Sequence, residues 1–257
     1  GMLPDWMAVP LTVVAVVGII NAINLIDGVN GLSSGYCITA CTMFGTLFYL
    51  SGDMKMTILA AVSVGALIPF FLHNVFGKTS KMFIGDGGTL VMGVVITVFV
   101  IETLRSGSSC GAYVEPRVGL VPFSLAVLCI PVFDTLRVMF SRILRGVSPF
   151  RPDKTHLHHM FINLGCSHAA VTLAIVALNT SVVLCWWGLT RLEVSIDVQL
   201  YAVVVMGFLV TFGLYHFMEW HLRRNTSFLR AVRRLGYRTH VSRRGVFLRM
   251  QHFLDRL

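Results

Sequence analysis

Long apolar runs alternate with short polar connections along most of the chain. We count seven runs of roughly 20 residues, the length that a helix needs to cross a bilayer. They are residues 7–26, 34–51, 56–76, 83–104, 118–139, 168–189 and 199–219. Membrane-barrel strands would instead alternate over about ten residues. The pattern therefore predicts an all-α, polytopic membrane protein with about seven transmembrane helices.

Composition supports the same prediction. The chain is 55% hydrophobic and 13% charged, whereas a soluble globular protein carries about 25% charged residues. So little charge does not cover a soluble surface, and we expect an integral membrane protein.

The basic residues indicate an orientation. When successive connections are assigned to alternate sides, one side holds seventeen of the 21 lysines and arginines and the other holds four. Because basic residues favour the cytoplasmic side, we expect that side to be cytoplasmic. It includes the arginine-rich stretch 221–257. This division predicts a membrane domain over 1–220 and a basic cytoplasmic tail over 221–257.

Apolar residues interleave with the arginines of the tail. Nucleic-acid binding is one interpretation of an arginine-rich segment. An amphipathic segment on an anionic lipid leaflet explains the interleaved residues better. We therefore expect membrane lipids, and no nucleic acid, as partners of the tail.

Three polar clusters lie at the cytoplasmic ends of the runs, and the first is "NAINLIDGVNGLSSG". Asn21, Asn24 and Asp27 follow one another at intervals of three, so they share a helical face. Capping and a turn at the interface explain the glycines of this stretch. They do not explain three polar residues on one stripe, and we interpret the stripe as a candidate site.

The second cluster, within "NVFGKTSKMFIGDGGT", places Asp86 and paired glycines before further apolar sequence. Free N–H groups at the start of a helix favour anions. Asp86 as an N-cap is an equally good interpretation.

The third cluster lies within "SPFRPDKTHLHHMFINLG". Arg151, Lys154, His156, His158 and His159 form a cationic loop. Zinc sites usually space their histidines further apart and add Cys or Glu. Diphosphate binding fits better, since imidazoles donate to phosphate oxygens. A basic loop that is merely rich in histidine is the alternative.

Carboxylates, amides and a cationic loop on one membrane face suit a divalent cation that is bound by oxygens and bridges a diphosphate. At this point the three motifs, with "PVFDTL" before the last, resemble the polyprenyl-phosphate N-acetylhexosamine-1-phosphate transferases of glycosyltransferase family 4. That family includes the undecaprenyl-phosphate GlcNAc-1-phosphate transferases and the phospho-MurNAc-pentapeptide transferases. The resemblance covers about residues 10–170.

The resemblance implies a reaction and its partners. N-acetylhexosamine-1-phosphate, as GlcNAc-1-phosphate in the histidine-loop branch, would pass from a UDP-sugar to undecaprenyl phosphate, with release of UMP. Mg²⁺, or Mn²⁺ in its place, would be the cofactor. The site would face the cytoplasm from a bacterial inner membrane, and a homodimer is left open.

The resemblance also implies residue roles. Asp27, Asp86 and His158 would be catalytic, and Asp86 and Asn24 would bind the metal. The remaining positions would bind substrate: Asn21, Gly28, Asn30, Asn74, Phe83, Arg151, His156 and His159. Among these, Asn30 and Phe83 would contact uracil, Asn74 would sit near the nucleotide, and the histidines would hold the diphosphate.

Two departures from the family pattern qualify these expectations. Asn30 replaces an aspartate that is common in bacterial members, and the adjacent aspartate pair of the family is absent. We expect the chain to be a C-terminal portion, roughly the last two-thirds, of such an enzyme. The alternatives are an inactive or truncated remnant and a membrane transporter.

Overall fold

A computed structural model describes residues 4–113, 118–149, 151, 154–238 and 245–256. The described residues form thirteen α-helices and no strand. In chain order they are α1 (Asp5–Leu25), α2 (Leu32–Leu50), α3 (Met54–Phe76), α4 (Gly85–Leu104), α5 (Ser109–Tyr113), α6 (Leu120–Val127), α7 (Cys129–Leu144), α8 (Leu157–Asn163), α9 (His168–Arg191), α10 (Ile196–Phe208), α11 (Leu214–Arg224), α12 (Ser227–Arg238) and α13 (Val246–Leu254). A π-helical turn, Leu209–Gly213, joins α10 to α11.

The helices confirm an all-α, polytopic membrane protein. Five helices in the described residues are long and apolar enough to cross a bilayer. They are Trp6–Leu25, Met54–Phe76, Gly85–Leu104, His168–Arg191 and Ile196–Arg224. The pair α6 and α7 makes a sixth span if the two are taken as one. The predicted count of seven is not confirmed.

The predicted run 118–139 is broken into α6 and α7, which meet at an angle of 71°. Pro131 has no N–H, so the carbonyl of Val127 loses its helical partner. Tyr36 Oη donates to that carbonyl at 2.6 Å, and Asn179 Nδ2 donates to it at 2.8 Å. Asn179 Oδ1 accepts from the N–H of Ile130 at 3.0 Å. Neighbouring helices thus satisfy the freed backbone groups, as a membrane interior requires.

Helix α2 accounts for the run 34–51 but is not one of the five apolar spans. Its serines and threonines reduce its hydropathy, and Thr39 and Thr42 bond to carbonyls one turn earlier. Phe44 and Phe48 are fully buried, and both contact the ring of Phe99 on α4. The helix therefore buries one face inside the bundle.

Close helix pairs bring the polar ends together. A Cβ on Gly93 of α4 would lie 2.9 Å from Ile20 Cα of α1, so these two helices nearly touch. Gly45 of α2 faces Ala60 of α3 in the same way. Since each pair runs antiparallel, the end of α1 meets the start of α4, and the start of α2 meets the end of α3.

The C-terminal stretch is helical where the structure describes it. The last long span continues to Arg224, beyond the predicted boundary at 220. Residues 239–244 and 257 of the predicted tail lie outside the described residues, as do Glu115 and Arg117 of one opposite connection. The division into two domains stays a prediction.

Candidate functional site

The polar end of α1 lies against the first turn of α4. Thr89 Oγ1 donates a hydrogen bond to Asn24 Oδ1. The same hydroxyl lies 3.0 Å from the carbonyl oxygen of Asp86. One side-chain pair therefore joins two clusters that are 65 residues apart in sequence. Asp86 itself is exposed in the first turn of α4.

The start of α9 fixes the connection between α1 and α2. His168 Nδ1 accepts from the backbone N–H of Asn30 at 3.2 Å, and Thr172 Oγ1 donates to the carbonyl of Asn30 at 2.9 Å. Ser33 Oγ donates to Asp27 Oδ1 at 2.9 Å. The backbone at Asn30 and the carboxylate of Asp27 are thus both oriented by neighbouring helices.

Asn74 links the first and second clusters from the last turn of α3. Its side chain is buried. Its Oδ1 accepts from the backbone N–H of Gly31, and its Nδ2 donates to the carbonyl of Met82. Gly31 has a left-handed backbone (φ 77°), and any side chain there would collide with Val75. Because both polar atoms of Asn74 bind backbone groups, its observed role is to hold two loops together.

A buried carboxylate organises the histidine loop. Asp134 on α7 accepts from Arg137 Nη2 at 2.7 Å and from the backbone N–H of Leu157 at 3.1 Å. His156 Nδ1 lies 2.9 Å from Asp134 Oδ2, the oxygen that also accepts from Leu157. The guanidinium of Arg137 also lies 3.9 Å from the ring centroid of Tyr215. The carboxylate fixes the orientation of the His156 imidazole.

Only one of the two ring nitrogens of His156 contacts Asp134. Its Nε2 atom is buried and has no hydrogen-bond partner in the part of the chain that the structure describes. The imidazoles of His156 and His158 are parallel, with ring centroids 5.7 Å apart, and His159 lies 4.2 Å from His158. The loop thus brings three imidazoles together, two of them parallel and the third tilted by 46°.

His158 connects the three imidazoles to the first cluster. A Cβ on Gly28 would lie 2.5 Å from His158 Nε2, so the imidazole occupies the space over that glycine. Burial, followed by the neighbouring His159 and His156, lowers the pKa of His158 to about 3. The imidazole is therefore neutral at physiological pH and offers one donor and one acceptor.

Three residues that were predicted to bind substrate lie at the exposed edge of the candidate site. Asn21 is exposed one turn before Asn24. Phe83 is 69% exposed, with Lys81 Nζ 5.1 Å from its ring centroid. Arg151 is exposed, and its backbone N–H bonds to the carbonyl of Ser148. Phe150, Pro152 and Asp153 of the same motif lie outside the described residues.

Known proteins resemble this chain over most of its length. Residues 2–104 match the model of Glycosyl transferase family 4. The chain is 27% identical over 230 residues to the undecaprenyl-phosphate alpha-N-acetylglucosaminyl 1-phosphate transferase of Escherichia coli (strain K12). The aligned region covers 87% of this chain and 58% of that protein. It is 33% identical over 170 residues to the probable undecaprenyl-phosphate N-acetylglucosaminyl 1-phosphate transferase of Bacillus subtilis (strain 168), covering 66% of this chain and 45% of that protein.

The chain is therefore similar to glycosyl transferase family 4. The Yersinia pestis relative, of the same name as the Escherichia coli protein, is 28% identical over 236 residues, or 90% of this chain and 62% of that protein. The chain spans 58% of the length of its Escherichia coli relative. No solved structure matches it.

The oxygen donors of this candidate site suit a hard cation in part. The described residues contain no group of three His, Cys, Asp or Glu side chains that could hold a metal ion. Mg²⁺ does not need such a group, since it binds through one or two carboxylates and completes its shell with water and substrate phosphates. Asp86 is exposed, and the amide oxygen of Asn24 lies beside the same helical turn. These oxygen donors fit Mg²⁺ bound together with a phosphate.

Sequence reasoning missed the contacts that hold the site in place. Asp134 was recognisable as a carboxylate near the end of an apolar run, but its bonds to Arg137 and His156 depend on the fold. Thr89 ends the second cluster, but its bond to Asn24 depends on the fold, and His168 and Thr172 stand at the start of an apolar run without any distinguishing pattern. Only the folded contacts identify them.

Proposed function

We propose that this protein transfers GlcNAc-1-phosphate from UDP-GlcNAc to undecaprenyl phosphate and releases UMP. The oxygen of the lipid phosphate attacks the phosphorus that carries the sugar. A new P–O bond forms, and the bond from that phosphorus to UMP breaks. The names of the relatives support the transferred group and the lipid acceptor.

The convergence of three polar clusters on the α1–α2 connection carries the proposal. Asn24 binds Thr89 of α4, Gly31 binds Asn74 of α3, and Gly28 lies under His158 of the histidine loop. Each contact joins segments from separate spans. A diphosphate between a nucleotide and a sugar needs such a set of groups, because its charge must be matched and its phosphorus aligned with the nucleophile.

The residues around the connection have separate roles in this reaction. Asp27, oriented by Ser33, lies at the reacting phosphates with Gly28. His158 is neutral and donates one N–H to a phosphate oxygen, and His156 and His159 extend this surface. Asn30 and Phe83 contact uracil. Asn21 and Arg151 bind the outer parts of the substrates.

Asp86 and Asn24 would hold Mg²⁺, with Mn²⁺ as a substitute, and the cation would offset the negative charge of the diphosphate. The Thr89 hydroxyl orients the amide of Asn24 for this purpose. The site lies on the cytoplasmic side of a bacterial inner membrane, because the basic residues concentrate on the same side as the three clusters.

The test is UMP release from UDP-GlcNAc by membranes that contain the protein and undecaprenyl phosphate, with and without Mg²⁺. We expect turnover that EDTA abolishes and that added Mg²⁺ restores. Asp86→Asn should reduce turnover at least about 100-fold, in the range found when a group that stabilises transition-state charge is removed.

Asp197→Asn is the matched control. Asp197 is also an exposed aspartate in the first turn of its helix, but that helix is α10 and starts at the opposite end of the bundle. It should leave turnover unchanged. Wild-type membranes that release no UMP would contradict the transferase function, and an active Asp86→Asn variant would contradict the metal assignment.

A further inference from the structure

The loop between α3 and α4 is held by a carboxylate from the last residues of the chain. Asp255 Oδ1 accepts from the backbone N–H of Lys78 at 3.0 Å, and from those of Thr79 and Ser80 at 3.1 Å each. Ser80 Oγ donates to the same oxygen at 2.8 Å. Four donors from three successive residues therefore converge on one oxygen atom.

Such an arrangement of successive N–H groups forms a concave site for an anion. The backbone N–H groups of Ser80 and Lys78 hold the pKa of the Asp255 carboxyl well below its usual range. The carboxylate is therefore charged at any physiological pH, and its bonds to the loop are charge-assisted.

One aromatic contact and one buried leucine bring the carboxylate to the loop. The ring of Phe247 on α13 lies 4.8 Å from the ring of Phe76 at the end of α3. Leu254, next to Asp255, is buried. Helix α13 is thus anchored on α3 at the point where the loop begins.

The same loop leads into the candidate site. It continues through Met82, whose carbonyl binds Asn74, to the exposed ring of Phe83 and then to Asp86 in the first turn of α4. His73 at the end of α3 also contacts the loop, since its Nδ1 lies 3.2 Å from the carbonyl oxygen of Ser80. Asp255 contacts the same loop through the backbone of residues 78–80.

We propose that Asp255 is a positioning residue of the transferase, which fixes the α3–α4 loop so that Phe83 and Asp86 are in place for the nucleotide donor. This inference rests on the proposed function. Asp255 touches neither substrate nor cation and acts only through residues 78–80. Its loss should therefore weaken binding of UDP-GlcNAc, because a loop that must be ordered on binding costs conformational entropy.

Two measurements on the full chain in lipid nanodiscs test the proposal. The first is hydrogen–deuterium exchange of the peptide that contains residues 78–80. Asp255→Ala should raise the exchange rate of these amides about 10-fold or more, since hydrogen bonds to a charged group are lost. The second is the Kd for UDP-GlcNAc, which should rise about 10-fold, as when an outer partner of a binding group is removed.

Two further variants separate a specific contact from general damage to α13. Asp255→Asn keeps an acceptor oxygen without the charge and should give intermediate values in both measurements. Arg256→Gln changes the exposed neighbour of Asp255 and should match the wild type. Equal effects of Arg256→Gln and Asp255→Ala would overturn the assignment to this carboxylate.

The remaining outcomes are also decisive. Unchanged exchange in Asp255→Ala overturns the contact, and faster exchange with an unchanged Kd overturns the positioning role. UMP release by the wild type is measured in parallel. A wild type that binds UDP-GlcNAc without turnover counts against the proposed function, and leaves the loop contact to be judged on exchange and affinity.

Discussion

The imidazole of His158 fills the space that a side chain at position 28 would need. The Nε2 atom lies 2.5 Å from the Cβ position of Gly28, far inside van der Waals contact. Gly28 is exposed and lies in the α1–α2 connection, whereas His158 comes from the loop after α7. A glycine is therefore required here for the approach of a histidine, and not for a left-handed backbone.

Gly28→Ala should strongly slow the proposed UMP release while leaving the protein folded. The new methyl group displaces the His158 imidazole by about 1 Å, and a shift of this size in a positioned group costs about 100-fold in rate. The measurement is UMP release together with the melting temperature. We expect about 100-fold slower release and a melting temperature within a few degrees of the wild type.

Gly188→Ala is the control for this substitution. A Cβ on Gly188, within α9, meets no atom within 4 Å. Activity should be retained, and stability should rise by up to about 1 kcal/mol from the better helix propensity of alanine. Wild-type activity in Gly28→Ala would contradict a role for His158 at the substrate.

Asp134→Asn should destabilise the protein strongly. The substitution leaves the buried guanidinium of Arg137 without a carboxylate, which typically costs about 3–5 kcal/mol. It also removes the acceptor that orients His156. The measurement is thermal unfolding in detergent, with UMP release at a temperature where the variant is still folded.

Glu102→Gln is the matched control, because Glu102 and Arg105 form an ion pair with the same three-residue spacing. Both pairs have N–O distances of 2.7 Å, but the Arg105 side chain is 52% exposed and that of Arg137 only 4%. An exposed pair contributes about 1 kcal/mol at most. Equal losses in the two variants would contradict the assignment of a structural ion pair to Asp134 and Arg137.

The apolar runs were sufficient to predict an all-helical membrane protein, because the bilayer imposes both length and hydropathy on a span. The run 118–139 gave no indication of its bend, since the consequence of Pro131 depends on Tyr36 and Asn179 from distant helices. The three clusters were recognisable by their polar residues inside apolar sequence. The contacts that hold them together were not, because Thr89 and Asp134 bind partners 65 and 22 residues away.

Thr89→Val tests the link between α4 and α1. Valine keeps the shape of threonine but cannot donate to Asn24 Oδ1, so the amide is free to rotate away from Asp86. We expect a loss of about 1 kcal/mol in stability and a higher Mg²⁺ concentration for half-maximal UMP release, by about 10-fold.

Thr89→Ser retains the hydroxyl and should need the same Mg²⁺ concentration for half-maximal UMP release as the wild type. Thr97→Val is a second control, since Thr97 is also buried on α4 but its hydroxyl bonds to the carbonyl of Gly93 within the same helix. An unchanged Mg²⁺ requirement in Thr89→Val would show that the amide of Asn24 does not serve the cation.

Acid should destabilise the protein partly through His158. Its pKa is about 3 in the folded chain and about 6.5 in an unfolded chain, so the unfolded state binds more protons between these values. The free energy of unfolding therefore falls as pH decreases through this window, by about 2 kcal/mol from pH 6.5 to pH 5. His158→Gln removes this contribution. The drop in melting temperature between pH 7 and pH 5 should be smaller in the variant than in the wild type, and identical drops would contradict a buried, neutral His158.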